Sequence, residues 1–230
     1  MVAHFVGASA KPAVVLLQLV LPTARRTGWR FSFLLADIRA AVKTTCDEEK
    51  HKMPGFDSIQ IPDQREVLIA FSDLKDFTPF VRDLDEAQLF AVLSDYYELI
   101  GDIVAAGGGK VVKFIGDAAL LAFPAEGIDA GVLALRELRQ RGDRFFADGD
   151  RPCRHVVKAH CGPVCCGQIG TRDDKRFDLF GQTVNTAALL PSNGMVLTPQ
   201  VFRRLAPETR QLFKKHTPPT TYVAVEDRHD

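Results

Sequence analysis

The 230-residue sequence has no excess of either charge: 29 Lys and Arg residues balance 29 Asp and Glu residues. A neutral chain lacks the broad positive field with which nucleic-acid binders meet a phosphate backbone. Its basic residues are also scattered rather than gathered into a stripe, so no nucleic-acid partner is expected. Cysteine is scarce and unevenly placed, at positions 46, 153, 161, 165 and 166. That spacing spells out no disulfide framework, and a reducing, cytoplasmic location is the expectation. Long apolar runs are missing too. The run from Pro12 to Leu21 is closed by Pro22 and Arg25-Arg26 and falls well short of the roughly 20 residues that cross a bilayer. Residues 1–10, ahead of it, carry no Lys or Arg and the double Arg follows the apolar run, the reverse of a secretory leader. Membrane association is therefore not expected. The string Gly107-Gly108-Gly109-Lys110-Val111 lacks the hydroxyl residue and the spacing of a G-x-x-x-x-G-K-[ST] phosphate loop, which sets P-loop nucleotide binders aside. No internal repeat or low-complexity tract is visible.

What is present is the composition of a globular protein, 46% hydrophobic and 25% charged. Residues 1–60 combine two apolar stretches, Val14–Leu21 and Phe31–Leu35, with a polar, Pro- and Gly-containing passage from Thr44 to Pro62 that reads as a linker. The expectation is an N-terminal extension of unassigned role over 1–60, followed by one domain over 61–228. From Val67 to Phe71 a continuous apolar run of strand length ends abruptly at Ser72-Asp73. A helical pattern follows from about Leu84 to Ala106, stopped by three glycines. Lys110–Ile115 and Ala118–Phe123 read as a hairpin turned at Gly116-Asp117. A second helix is expected over Ile128–Phe146, then strands over His155–Cys161 and Val164–Ile169 joined at Gly162-Pro163, then a strand-turn-helix through Arg176–Leu190. That order predicts an α+β fold, a ferredoxin-like sheet with packed helices.

Asp73 at a strand end and Asp117 at a hairpin tip could meet at one sheet edge. Two close carboxylates with open coordination suit Mg²⁺ completed by substrate phosphates. Directly after Asp73, the string Lys75-Asp76-Phe77-Thr78-Pro79 reads as a helix start, whose free N–H groups at Phe77 and Thr78 favour anions. On these features alone, a solvated loop aspartate and a turn aspartate are the commoner outcome, because Asp is frequent in turns. Similarly, His160-Cys161 and Cys165-Cys166 lack paired C-x-x-C spacing and a second ligand cluster. They read as small buried residues rather than zinc ligands.

Whole strings shift that balance. Phe71-Ser72-Asp73-Leu74-Lys75-Asp76-Phe77-Thr78, then Lys113-Phe114-Ile115-Gly116-Asp117-Ala118, then His160-Cys161-Gly162-Pro163-Val164, then Phe177-Asp178 through Gly181 to Val184-Asn185 resemble, in order and spacing, the class III adenylate/guanylate cyclase catalytic domains. The resemblance implies that Asp73, Asp117 and the backbone carbonyl of Leu74 hold two Mg²⁺ or Mn²⁺ ions per site, with Asp73 and Asp117 acting catalytically through them. It implies that Lys113 and Asp178 read the purine and that Asn185 orients the ribose. A carboxylate and an ammonium complement the N6 donor and N1 acceptor of adenine, which points to ATP rather than GTP. It further implies a homodimer with composite sites, since one chain carries both residue sets, and a reaction yielding 3′,5′-cyclic AMP and pyrophosphate in signalling. The Gly-Gly-[Asp/Glu]-Glu-Phe turn of diguanylate cyclases is absent.

Three positions depart from the family pattern. Leu189 stands where an arginine would stabilise charge on the transferring phosphorus, a loss that typically costs about 10²–10³ in rate. Val156 stands where a second arginine is expected, with Arg154 and Lys158 two residues away on the same strand face. Lys214-Lys215-His216 replaces a Lys-Gly-Lys passage. Slow turnover follows as an expectation. The alternative is a cyclase-like domain that binds nucleotide and signals by dimerisation without catalysis.

Overall fold

In the computed structural model, residues 62–147 and 153–227 are described, so the expected extension over residues 1–60 lies outside the described residues. The organising element is β1 (Asp63–Lys75), whose residues Val67 to Ala70 are almost completely buried. A run buried on both sides is what an apolar stretch without alternation predicts for a central strand. After a short helix α1 (Phe77–Val81), α2 (Glu86–Ala106) begins with a capping box. Gln88 N–H donates to the Asp85 side chain at 2.8 Å, and Asp85 N–H donates back to Gln88 Oε1 at 3.0 Å. The glycine stop works as a Schellman end: Gly109 N–H donates to Val104 and Gly108 N–H to Ala105, with Gly108 at φ 74.

The hairpin of β2 (Lys110–Ile115) and β3 (Ala118–Pro124) turns through Gly116 and Asp117, with Ile115 paired to Ala118 and Gly116 at φ 62. A 3₁₀ turn leads into α3 (Ile128–Phe145). Then come β4 (Arg154–Gly170), β5 (Lys175–Phe180), α4 (Gln182–Ala188), β6 (Met195–Leu197), α5 (Pro199–Phe202), α6 (Pro207–Arg210), β7 (Phe213–His216) and β8 (Thr221–Ala224). The strands form one sheet in the order β2-β3-β1-β4-β6-β8-β7, with β5 paired to the far half of β4. All pairings are antiparallel except β4 with β6. This is the expected α+β arrangement of a sheet with packed helices.

One local expectation differs. The two strands foreseen on either side of Gly162-Pro163 are a single strand, β4, that pairs with β1 from Arg154 to Cys166. Pro163 is tolerated because on its other edge β6 covers only 157–159 and β5 begins at 165. In that gap no neighbouring strand needs its missing N–H, and its carbonyl instead accepts the Thr183 hydroxyl at 2.6 Å.

Alternation along β1, β3 and β4 creates two apolar layers. One faces α2 and α3 and includes Leu68, Ala70, Leu121, Phe123, Tyr96, Ile100, Leu135 and Leu138. The other contains Val67, Ile69, Leu120, Ala122, Val164 and Cys166, with Phe177 and Leu179 of β5 and Ala187 of α4. Cys161 lies in the first layer and Cys166 in the second, the packing role expected of free thiols, whereas Cys165, expected to be buried, is exposed because strand alternation turns it away from the layer that holds Cys166.

Candidate active site

Ladder register carries Asp73 to the end of β1 opposite Val156, on the face that Val67, Ile69 and Phe71 define. The hairpin carries Asp117 to the end of the neighbouring strand pair, where Ser72 faces Ala119. The Leu74 amide donates to Asp73 Oδ1 at 3.0 Å, and the Leu74 backbone also weighs on the Asp117 carboxyl, in the lowering direction. The Asp117 carboxyl is raised above the usual carboxylate range, chiefly by burial and further by the charge of Asp73. A half-buried carboxylate beside a second carboxylate is a pair that a cation would relieve. Among the described residues no group of three or more His, Cys, Asp or Glu side chains converges as a metal cage. The two carboxylates leave most of a divalent ion's coordination open, as suits Mg²⁺ or Mn²⁺ bound partly through substrate oxygens. These residues therefore fit such an ion. At Leu74 it is the N–H that the hydrogen bond above uses.

Lys113 on β2 and Asp178 on β5 are brought together across 65 positions. Lys113 Nζ donates to Asp178 Oδ2 at 2.6 Å and lies 5.9 Å from the centre of the Phe180 ring. Leu179 N–H donates to the other oxygen of Asp178 at 2.8 Å, fixing the carboxylate. Asn185 is exposed in α4, and its carbonyl accepts from Leu189 N–H at 3.1 Å. Phe77 packs on Phe80 with ring centroids 6.2 Å apart, while Thr78 is exposed. α1 is only five residues long and follows Asp76 at φ 66.

The departures can also be located. Leu189 ends α4 and is 82% exposed. Lys158 Nζ donates to the carbonyl of Ala188 at 3.3 Å, one residue away. Arg154 donates to the Asn193 carbonyl at 3.1 Å, and Lys75 donates to the Asn193 side chain at 2.8 Å. Lys214, on the edge strand β7, is used by the carbonyls of Val225 and Asp227.

The sequence reading missed the polar group beneath Asp73. Ser72, Tyr96 and His155 are buried, with Ser72 Oγ 2.6 Å from His155 Nε2. Burial lowers His155 to about 4, so it is neutral. Its signal was available: His155 interrupts the inward-facing alternation that Val157, Ala159 and Cys161 continue.

Comparisons with known proteins bear on the family and the fold. A family model described as the adenylate and guanylate cyclase catalytic domain matches residues 59–216. Adenylate cyclase 1 of Rhizobium meliloti is 28% identical over 136 residues, covering 55% of this chain and 20% of that protein. Atrial natriuretic peptide receptor 2 of Anguilla japonica is 32% identical over 140 residues, covering 57% of this chain and 13% of the receptor. The chain thus spans a small part of these relatives' length. Among solved structures, the adenylyl cyclase CyaB from P. aeruginosa superimposes with a TM-score of 0.63 at 17% identity, covering 74% of this chain and 98% of that one. That likeness speaks for the fold. No described helix is long and apolar enough to cross a membrane.

Proposed function

Since the chain belongs to the family of adenylate and guanylate cyclase catalytic domains, we propose that it is an adenylate cyclase, converting ATP to 3′,5′-cyclic AMP and pyrophosphate as a homodimer with two composite sites. The observation that carries this reading is the 2.6 Å pair of Lys113 and Asp178 on the sheet that also carries Asp73 and Asp117 to the ends of neighbouring strands. Lys113 meets adenine N1 and Asp178 accepts from the N6 amino group, once the two side chains exchange each other for the base. Guanine, with an N1–H donor and an O6 acceptor, mismatches both.

Asp73 and Asp117, with the Leu74 carbonyl, would hold divalent Mg²⁺ or Mn²⁺, two per site. Bound there, such ions supply positive charge to the attacking 3′-oxygen and to the phosphate oxygens. Asn185 orients the ribose so that its 3′-oxygen lies in line with the α-phosphorus and the departing pyrophosphate, and this positioning is a major part of the catalysis. Phe77 and Thr78 present backbone N–H groups to the phosphates. Arg154 and Lys158 flank Val156 on the face of Asp73, and Lys158, which meets the Ala188 carbonyl, supplies cationic charge near the position that Leu189 leaves apolar. Turnover is accordingly slow.

The exposed Leu189 favours one second reading, a domain that binds Mg-ATP and signals through dimerisation without turning it over. Incubating the purified protein with ATP or GTP and Mg²⁺ or Mn²⁺, followed by chromatography, separates the two, with Asp73→Ala as the blank. Cyclic AMP above the blank is the expected result. ATP binding without product would favour the second reading. The double variant Lys113→Glu, Asp178→Cys should move the preference toward GTP, and an unchanged ATP preference would remove the base-reading assignment.

A further inference from the structure

We propose that Tyr96, Tyr97 and His155 are positioning residues that brace the carboxylate pair from beneath, by gripping the residue that immediately precedes each aspartate in the chain. The inference rests on the metal reading of Asp73 and Asp117. Its first arm is a directed chain of hydrogen bonds. His155 Nδ1 lies 3.1 Å from the Leu138 carbonyl of α3, which can only accept, so Nδ1 carries the proton and Nε2 presents its lone pair. Ser72 Oγ, 2.6 Å from Nε2, therefore donates to it. The Tyr96 hydroxyl lies 3.3 Å from the same nitrogen and braces the imidazole that Ser72 meets. Ser72 precedes Asp73. The second arm starts one residue along α2. The Tyr97 ring stacks on Phe114 at 3.7 Å with planes 4° apart, and its hydroxyl donates to the Gly116 carbonyl. Gly116 precedes Asp117.

Two consecutive helix residues thus reach the two residues that aim the carboxylates, Tyr97 directly and Tyr96 through His155. The arrangement is unlike ordinary core filling. Ser72 and Tyr96 are fully buried and His155 is 1% exposed within an apolar layer. Burying such groups gains little over apolar side chains of similar shape, and what a satisfied polar chain supplies is a fixed geometry. α3 leaves room for it. A Cβ added at Gly142 would run into His155 Nδ1, and Asp143 accepts the His155 backbone N–H at 2.7 Å. Two carboxylates that repel each other need restraint to keep one cation-binding separation, and groups behind first ligands commonly serve that purpose.

The test is Mn²⁺ binding to the full chain without nucleotide, followed by the loss of the free-ion electron paramagnetic resonance signal. Affinity of the folded protein for the ion is a quantity that a merely structural role leaves unchanged. Tyr97→Phe keeps the stack on Phe114 and removes only the hydroxyl, and Ser72→Ala removes the other grip. Each should weaken Mn²⁺ binding roughly tenfold, and Ser72→Thr, which keeps a hydroxyl, should restore most of it. Asp117→Asn marks the loss of the site itself. Wild-type affinity in both Tyr97→Phe and Ser72→Ala, with binding lost in Asp117→Asn, would overturn the brace and leave the metal reading standing. Equal binding by wild type and Asp117→Asn would overturn the metal reading and the brace with it. Should Ser72→Ala fail to fold, Tyr97→Phe alone decides.

Discussion

The two faces of the sheet are made by the same strands and finished very differently. On one side Leu68, Ala70, Leu121 and Phe123 are sealed by the long helices α2 and α3. On the other, the chain's own cover is the short α4 and β5, and large apolar side chains remain in water: Ile115 is 52% and Phe180 is 51% exposed. Lys113 and Phe180 meet there, and Asp73 continues the same face. The sealed face supplies the larger part of the buried apolar core. The half-covered face holds the charged groups, and under the proposed homodimer it is the surface that a second copy completes. Substitutions should accordingly separate stability from activity according to the face they touch.

Asp117→Asn should break that correspondence most sharply. Cyclic AMP formation in the chromatographic assay should fall by about 10²–10³ or more, because a charge aimed at the reacting groups is lost. The fold should not suffer. The Asp117 carboxyl is held above its usual range by burial and by Asp73, so its charged form opposes folding and its removal relieves repulsion. A melting temperature equal to or above wild type is expected, and a large fall would show that Asp117 serves the fold instead. Next in size is Leu121→Ala on the sealed face, expected to cost about 2–5 kcal/mol in denaturant unfolding. Phe180→Ala on the other face should change stability by no more than about 0.5 kcal/mol while weakening self-association in sedimentation. If both variants cost the same, the two faces do not divide their roles.

Much of this division was legible in the sequence, for reasons that differ between elements. The central strand, the glycine stop after α2 and the hairpin at Gly116-Asp117 rest on local rules, namely uninterrupted apolar residues, a Schellman end and a turn demanding positive φ. Asp73 with Asp117, and Lys113 with Asp178, were legible as members of ordered strings. Their meeting depends on register, which those strings record only indirectly. What stayed hidden was set by strands far apart in sequence. The continuity of β4 through Pro163 depends on a gap between β5 and β6. The chain Tyr96, Ser72, His155 joins three elements that sequence spacing does not relate.

His155 gives a smaller effect with a defined sign. Its folded value, lowered to about 4 by burial, lies below the ordinary value near 6.5. Between these limits the unfolded chain binds a proton that the folded one does not, so stability must fall as pH drops from about 6.5 to about 4. Melting curves over that window should show the fall, and His155→Gln, though less stable at neutral pH, should show a shallower one. Parallel slopes in the two proteins would mean that other groups govern the acid limb.

The smallest effect expected is at the edge of the half-covered face. Leu189 is exposed at the end of α4, so Leu189→Arg needs no repacking, and a cation is favoured at a helix C-terminus by the aligned carbonyls. Were the position the sole defect, an arginine there would restore the full factor that such a charge contributes. Lys158 already brings an ammonium to the neighbouring Ala188 carbonyl, however, and an added exposed charge acts through a high dielectric, where a unit pair at contact distance is worth about 1 kcal/mol. The expected gain in kcat is therefore tenfold or less. A gain near the full 10²–10³ would show that Lys158 supplies no charge to the reaction, whereas no gain in Leu189→Arg together with a loss in Lys158→Ala would identify Lys158 as the group that fills the role.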